Sequence, residues 1–364
     1  MDPKQPTHRS AHRALLAGAL TAAVFALCVD SAVADGEPPV TVGAGMQTNF
    51  YQCSTGCVYS PGSIGAGDSS VQGFALDTIR LYVNGTVTDN VKFTFNTEYT
   101  GSGTDTVIVM DAIGRFEFND QFNIWAGRFL PPSDRANLYG PYYANDWAPY
   151  ADGVADYYPD VAIGRDNGLA YWGQFGILKV QVGAFDGESI NSAVADKSKL
   201  VYAGRLTLDF WDPEPGYYFN GTYYGEKNLL AVGIAAQNQD SKSTYSVDAL
   251  MERNFPGAGT VTIESEYNKD NGLTGTTDSD GWYALGAYIL PQAVGVGKVQ
   301  ILGKYSKKTV DSMPYEDEIK TTEVNLNYII KSFSARTGLY FLNQKDDLAH
   351  TSKQEFGLKL QLQM

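Results

Sequence analysis

Apolar and polar residues alternate with period two along most of this chain, and its last stretch shows the pattern most clearly. Phe356, Leu358, Leu360, Leu362 and Met364 fall on one side; Glu355, Gly357, Lys359, Gln361 and Gln363 fall on the other. Successive strand side chains point to opposite faces, so this is a strand with one greasy and one wet surface. The same alternation predicts strands at 40–52, 74–88, 91–100, 107–118, 122–130, 161–173, 177–186 and 200–211. It predicts a second set at 229–239, 244–253, 260–269, 282–290, 298–306, 319–330, 333–345 and 354–364, about sixteen in all. Helical periodicity is almost absent.

The connections alternate as well. Asp89-Asn90, 119–121, 174–176 and Lys331-Ser332 are short, whereas 53–73, 131–160, 187–199, 270–281 and 307–318 are long and polar. Short turns on one rim and long loops on the other predict an all-β transmembrane antiparallel barrel. Strands of about ten residues suit a tilted bilayer crossing. One connection on the short rim, 212–228, is unexpectedly long and carries Pro213, Pro215 and four tyrosines. Its stretch from Tyr217 to Tyr224 is a candidate contact for a partner protein.

Residues 1–34 predict a signal peptide: Lys4, Arg9 and Arg13 precede an apolar run, and Ala32-Val33-Ala34 forms a small-x-small cleavage site. The barrel domain is then 35–364, and the destination is the outer membrane of a Gram-negative bacterium, crossed many times by strands. No later segment makes a convincing spanning helix; 282–297 contains Pro291 and three glycines and reads as a strand entering a turn. Without the leader's three bases and two acids (Asp2, Asp30), 27 Lys and Arg become 24 and 41 Asp and Glu become 39. The resulting net charge of −15 argues against nucleic acid as a partner. Cys53 and Cys57, a close pair in an oxidising compartment, are expected to form a disulfide.

A soluble sandwich or propeller would alternate too. Against both stand the absence of a blade-length repeat and the aromatic residues near strand ends, expected to form an interfacial girdle: Trp125, Trp172, Phe210, Trp211, Trp282 and Tyr288. A hydrolase needs a histidine beside a nucleophile, and the mature chain has only His350, in the last polar loop. No enzyme activity, metal or cofactor is therefore expected. A non-conducting barrel that scaffolds partner proteins stays open as an alternative.

At Gly127-Arg-Phe-Leu-Pro-Pro-Ser-Asp-Arg-Ala-Asn-Leu-Tyr-Gly-Pro-Tyr-Tyr143 the chain resembles bacterial outer-membrane porins, particularly the phosphate-selective porin O and P group. Asp77-Thr-Ile-Arg-Leu-Tyr-Val83 is similar to the early strands of such porins, and Trp211-Asp-Pro-Glu-Pro-Gly-Tyr-Tyr218 to another of their segments. The resemblance implies a sixteen-stranded diffusion channel for small hydrophilic or ionic solutes, commonly a homotrimer amid lipid and lipopolysaccharide. It also implies a third long loop, here 131–160, folded inward as a constriction. Two departures stand out: Met364 replaces the usual terminal aromatic residue, and the acidic balance does not suit a basic, oxyanion-selective pore.

Phase then nominates pore-lining side chains. Arg80, Lys92, Arg115, Lys179, Arg205 and Arg128 are expected on the wet face as a basic wall, with Asp248, Glu252, Glu264 and Glu266 on two later strands. The inward loop supplies Asp134, Asp146, Asp152, Asp156 and Asp160. A basic wall facing loop acids would filter ions across a narrow mouth.

Overall fold

The computed structural model describes residues 40–54, 70–100, 106–154, 164–187, 199–273, 277–312, 315–348 and 350–364. The expected signal peptide, Cys57, Asp156 and Asp160 lie outside the described residues. Sixteen antiparallel strands close a single barrel. The first eight are β1 (Val40–Ser54), β2 (Val71–Thr88), β3 (Val91–Thr100), β4 (Val107–Glu117), β5 (Asn123–Phe129), β6 (Asp166–Phe175), β7 (Leu178–Phe185) and β8 (Val201–Asp209). The rest are β9 (Leu229–Gln239), β10 (Lys242–Phe255), β11 (Gly259–Asn271), β12 (Ser279–Val294), β13 (Gly297–Ser312), β14 (Tyr315–Lys331), β15 (Ala335–Asp346) and β16 (Thr351–Gln363). Every neighbour in space is a neighbour in sequence except at the closure, where β16 pairs with β1 and places Met46 opposite Leu362. Ala44 and Met364 exchange two backbone hydrogen bonds, at 3.1 and 2.9 Å, and seal the seam.

Alternation sorts the side chains as it must for a barrel in lipid. Phe95, Val109, Leu169, Val182, Ile234 and Ile263 are exposed on the outer surface, and Phe356, Leu358 and Leu362 continue that band on β16. Their intervening partners face inward. No open edge is left in the sheet, so each strand's backbone groups find partners within it, as a bilayer demands. Phe210, Trp211, Trp282 and Tyr288 are exposed, as a girdle requires. Trp125 and Trp172 are instead buried in the lumen, where Trp125 stacks on Tyr217 at 4.6 Å.

Two connections differ from expectation. Most of 307–318 is not loop: β13 runs to Ser312 and β14 starts at Tyr315, with Asp311 paired to Glu316. The 210–228 connection does not lie on the rim but enters the barrel, with Tyr217, Phe219 and Thr222 almost fully buried. We call it the strap. Of its four tyrosines Tyr217 is buried, while Tyr218, Tyr223 and Tyr224 keep part of their exposure.

Candidate functional site

Two segments enter the lumen from opposite rims. From the long-loop rim comes the β5–β6 connection, which carries the short helix α1 (Arg135–Tyr143). Asp134 caps it, its side chain accepting from the Asn137 amide at 2.7 Å. Gly140, at φ 68°, breaks the helix before Pro141, a backbone that residues with a Cβ rarely adopt. From the short-turn rim comes the strap.

The two are clamped to each other and to the β8–β15 wall. Arg135 of α1 is fully buried and forks onto Glu214 of the strap, one arm at 3.0 Å, and bonds the Asn220 carbonyl at 2.9 Å. Burial alone would push Glu214 up, but the Arg135 guanidinium outweighs it and holds the carboxyl below its ordinary value. Beneath them Arg205 grips Asp248 with two bonds, at 2.5 and 2.7 Å, and Lys179 donates to the Glu214 carbonyl. Phe219 lies within 5 Å of all three cations, its ring centroid 4.3 Å from Lys179, 4.8 Å from Arg205 and 4.9 Å from Arg135. Glu252 accepts from the Thr222 hydroxyl at 2.6 Å and the Gly225 amide at 2.7 Å, holding the strap's far end.

The loop's acids turn toward this same wall. Lys304 on β13 meets Asp146 at 3.1 Å and Asp152 at 2.9 Å. Trp147 donates from its ring to Asn327 at 2.7 Å and from its backbone to Glu323 at 2.9 Å. Arg336 binds the Ala144 carbonyl at 2.7 Å and the Tyr224 hydroxyl at 3.1 Å, tying loop and strap together a second time. Asp134, Asp146 and Asp152 therefore do not face a basic wall across a pore. Lys304, on the wet phase of β13, draws the latter two to the opposite side.

The lumen stays open beside β2–β5. A cavity of about 440 Å³ lies there, and Arg80, Arg115, Arg165 and Lys227 line it with a single carboxylate, Asp111. A second, of about 620 Å³, continues toward the short-turn rim past Lys92, Glu117 and Asn90. Pro215 of the strap lines both. Arg80 pairs with Glu98, Arg165 with Asp111 at 3.4 Å and Lys92 with Glu117 at 3.0 Å. Arg115 shares Glu117 at 3.7 Å, so one carboxylate answers two cations. The arginines also meet rings: Arg80 lies 4.9 Å from the centroid of Tyr142, whose phenol burial pushes up to about 12.

Of the six expected basic residues, Arg80 and Arg115 line the first cavity and Lys92 the second. Lys179 and Arg205 are inward but sealed beneath the strap. Arg128 is outward: it pairs across with Ala112, which is exposed, and alternates with the buried Phe129. The acids Asp248, Glu252, Glu264 and Glu266 are inward and buried behind the two segments. Cys53 is disulfide-bonded at the end of β1. Arg165, Lys227, Glu214 and Arg336 had not been nominated; Arg336 shares the wet phase of β15 and was open to that argument.

No family model matches the chain, and comparison with curated proteins finds no match. Solved structures do match in fold. The outer membrane channel DcaP of Acinetobacter baumannii superimposes with a TM-score of 0.59 at 12% identity, over 92% of this chain and 100% of that one. An anion-selective porin from Comamonas acidovorans gives 0.56 at 15% identity, over 90% and 100%. The in-vitro-folded trimer form of OmpT, an outer membrane protein of Vibrio cholerae, gives 0.51 at 11% identity, over 90% and 100%. The chain has the architecture of the multi-pass β-barrels of the Gram-negative outer membrane, and the similar structures include porins and channels.

Proposed function

We propose that this barrel is a water-filled, non-enzymatic channel for passive diffusion of small hydrophilic or ionic solutes. The observation that carries the proposal is the corridor beside β2–β5, two cavities that share Pro215 and carry charged side chains along a low-dielectric wall. The constriction is built by the 131–154 part of the third loop together with the strap. Residues 1–34 direct export, and the barrel assembles as a homotrimer among outer-membrane lipid and lipopolysaccharide; the trimer form of OmpT supports that assembly by likeness of fold. A phosphate-selective pore is supported only by the motifs at 127–143, 77–83 and 211–218. The alternative is a non-conducting barrel that scaffolds partner proteins; its candidate contact at 217–224 buries Tyr217 and leaves Tyr218, Tyr223 and Tyr224 partly exposed.

Purified protein in planar bilayers tests the proposal. Stepwise, ohmic conductance in KCl is the expected result, and electrical silence of folded barrels would sink it.

A further inference from the structure

We propose that the 440 Å³ cavity is a binding station for planar aromatic monoanions, a solute class that the channel passes; the inference deepens the channel reading and rests on it for its transport consequence. Charge supplies the first half of the argument. Four cationic side chains line the cavity against one carboxylate, and Glu98 and Glu117, which pair with Arg80 and Arg115, are not among the lining residues. Lys227 bonds only neutral groups among the described residues: its ammonium donates to the Pro213 carbonyl at 2.8 Å and sits 4.9 Å from the Tyr223 ring. A mouth lined by cations in a low-dielectric wall concentrates anions.

Ring surface supplies the second half. Tyr82, Trp125, Tyr139, Tyr143, Tyr218 and Tyr223 also line the cavity, an aromatic density that a path for inorganic ions does not need. Flat π-faces next to guanidinium groups suit a solute that offers a ring to the former and a carboxylate to the latter. The Tyr82 ring centroid lies 5.9 Å from the Arg80 guanidinium, so a ring and a cation stand side by side in the lining. Neutral sugars stack on rings too, but their hydroxyls call for acceptors, and Asp111 is the one carboxylate in the lining. A volume of about 440 Å³ is that of a small-molecule site, which typically spans about 300–1,000 Å³.

The test uses the full-length barrel in planar bilayers in KCl, with benzoate, cyclohexanecarboxylate and benzylammonium added in turn. These three separate ring from charge at nearly constant size. Benzoate should interrupt the current at a half-blocking concentration roughly three- to tenfold below that of cyclohexanecarboxylate, the increment of one aromatic contact. Benzylammonium should not block in that range. Equal block by the two carboxylates, or by benzylammonium and benzoate, overturns the proposal. Lys227→Gln should raise the benzoate value by roughly two- to fivefold, and an unchanged value overturns the charge half. If the barrel passes no current in KCl, the channel reading falls by itself. Calorimetric titration of the same three compounds into detergent-solubilised barrels then decides the site, with the same order expected and equal or absent heats overturning it.

Discussion

The two halves of the lumen are lined by similar residue types yet do different things. Along β8–β15, buried cations and carboxylates pair at close range through inserted backbone: Arg135 with Glu214, Arg205 with Asp248, Lys304 with Asp146 and Asp152. Along β2–β5, Lys92, Glu117 and Arg115 pair on a wall left open to water. The difference lies in what covers them. Loop and strap remove water from one wall and turn its charges into fasteners. On the other wall Arg80–Glu98 and Arg165–Asp111 are buried as well, but Lys92, Arg115 and Glu117 stay partly exposed to a passing solute. A buried pair is expensive to break, whereas an exposed pair is worth little.

The largest effect should therefore come from breaking a fastener on the closed side. Glu214→Ala leaves the Arg135 guanidinium buried with the Asn220 carbonyl and with Asp248, 3.8 Å away. The expected cost is about 3–5 kcal/mol. Urea titration of the folded barrel should show it as a lower midpoint, and the same variant in bilayers should conduct more, with noisier steps, as loop and strap loosen. A barrel with wild-type stability and quiet conductance would mean the two segments are held elsewhere.

Acid offers a gentler route to the same fastener. Because Glu214 sits below its ordinary carboxylate value in the folded chain, its contribution is fully present above the unfolded value of 4.5 and disappears as pH falls through the folded value. Stability should hold near neutral pH and decline only on the acid side of the usual carboxylate range. Glu214→Gln should flatten that acid limb; an unchanged acid limb in the variant would assign it to other carboxylates.

On the open side the first readout is selectivity. Arg80→Ala combined with Arg115→Ala removes two of four lining cations. Reversal potentials under a salt gradient should move toward cations, and unmoved potentials in a conducting barrel would show that the solute path avoids this wall.

The same contrast explains what the sequence could reveal. All sixteen strands were legible, because lipid on one side and water on the other impose period two wherever the wall crosses the bilayer. The hairpin of β13 and β14 was misread at 307–318, where Lys307, Lys308, Glu316 and Glu318 put charge on both phases and erase the alternation. Polarity places Arg128 inward for a related reason. On β5 the inward face is the apolar one, because Tyr217 and Phe185 pack on Trp125 and Phe129, so polarity pointed the wrong way. The strap left no periodic trace at all. Pro213, Pro215 and Gly216 (φ 90°) signal irregular backbone, but no local pattern says whether an irregular segment lies on a rim or enters the barrel. Its buried acid, Glu214, finds its partner 79 residues away, a pairing no local pattern could have announced.

The smallest expected effect tests the open wall most cleanly. Lys92 and Glu117 form a pair whose side chains keep about 30% and 18% of their exposure, beside the lower cavity. Lys92→Ala leaves Glu117 neither stranded nor dry, since Arg115 stands 3.7 Å away and the Trp125 ring nitrogen still donates to it at 3.0 Å. Water in the corridor solvates whatever charge is freed, so the stability cost should be about 0–1 kcal/mol. That value, set against the loss from Glu214→Ala in the same urea titration, measures how dry each half is. A Lys92→Ala loss as large as the Glu214→Ala loss would mean that the β2–β5 wall is sealed as well, and the corridor with it.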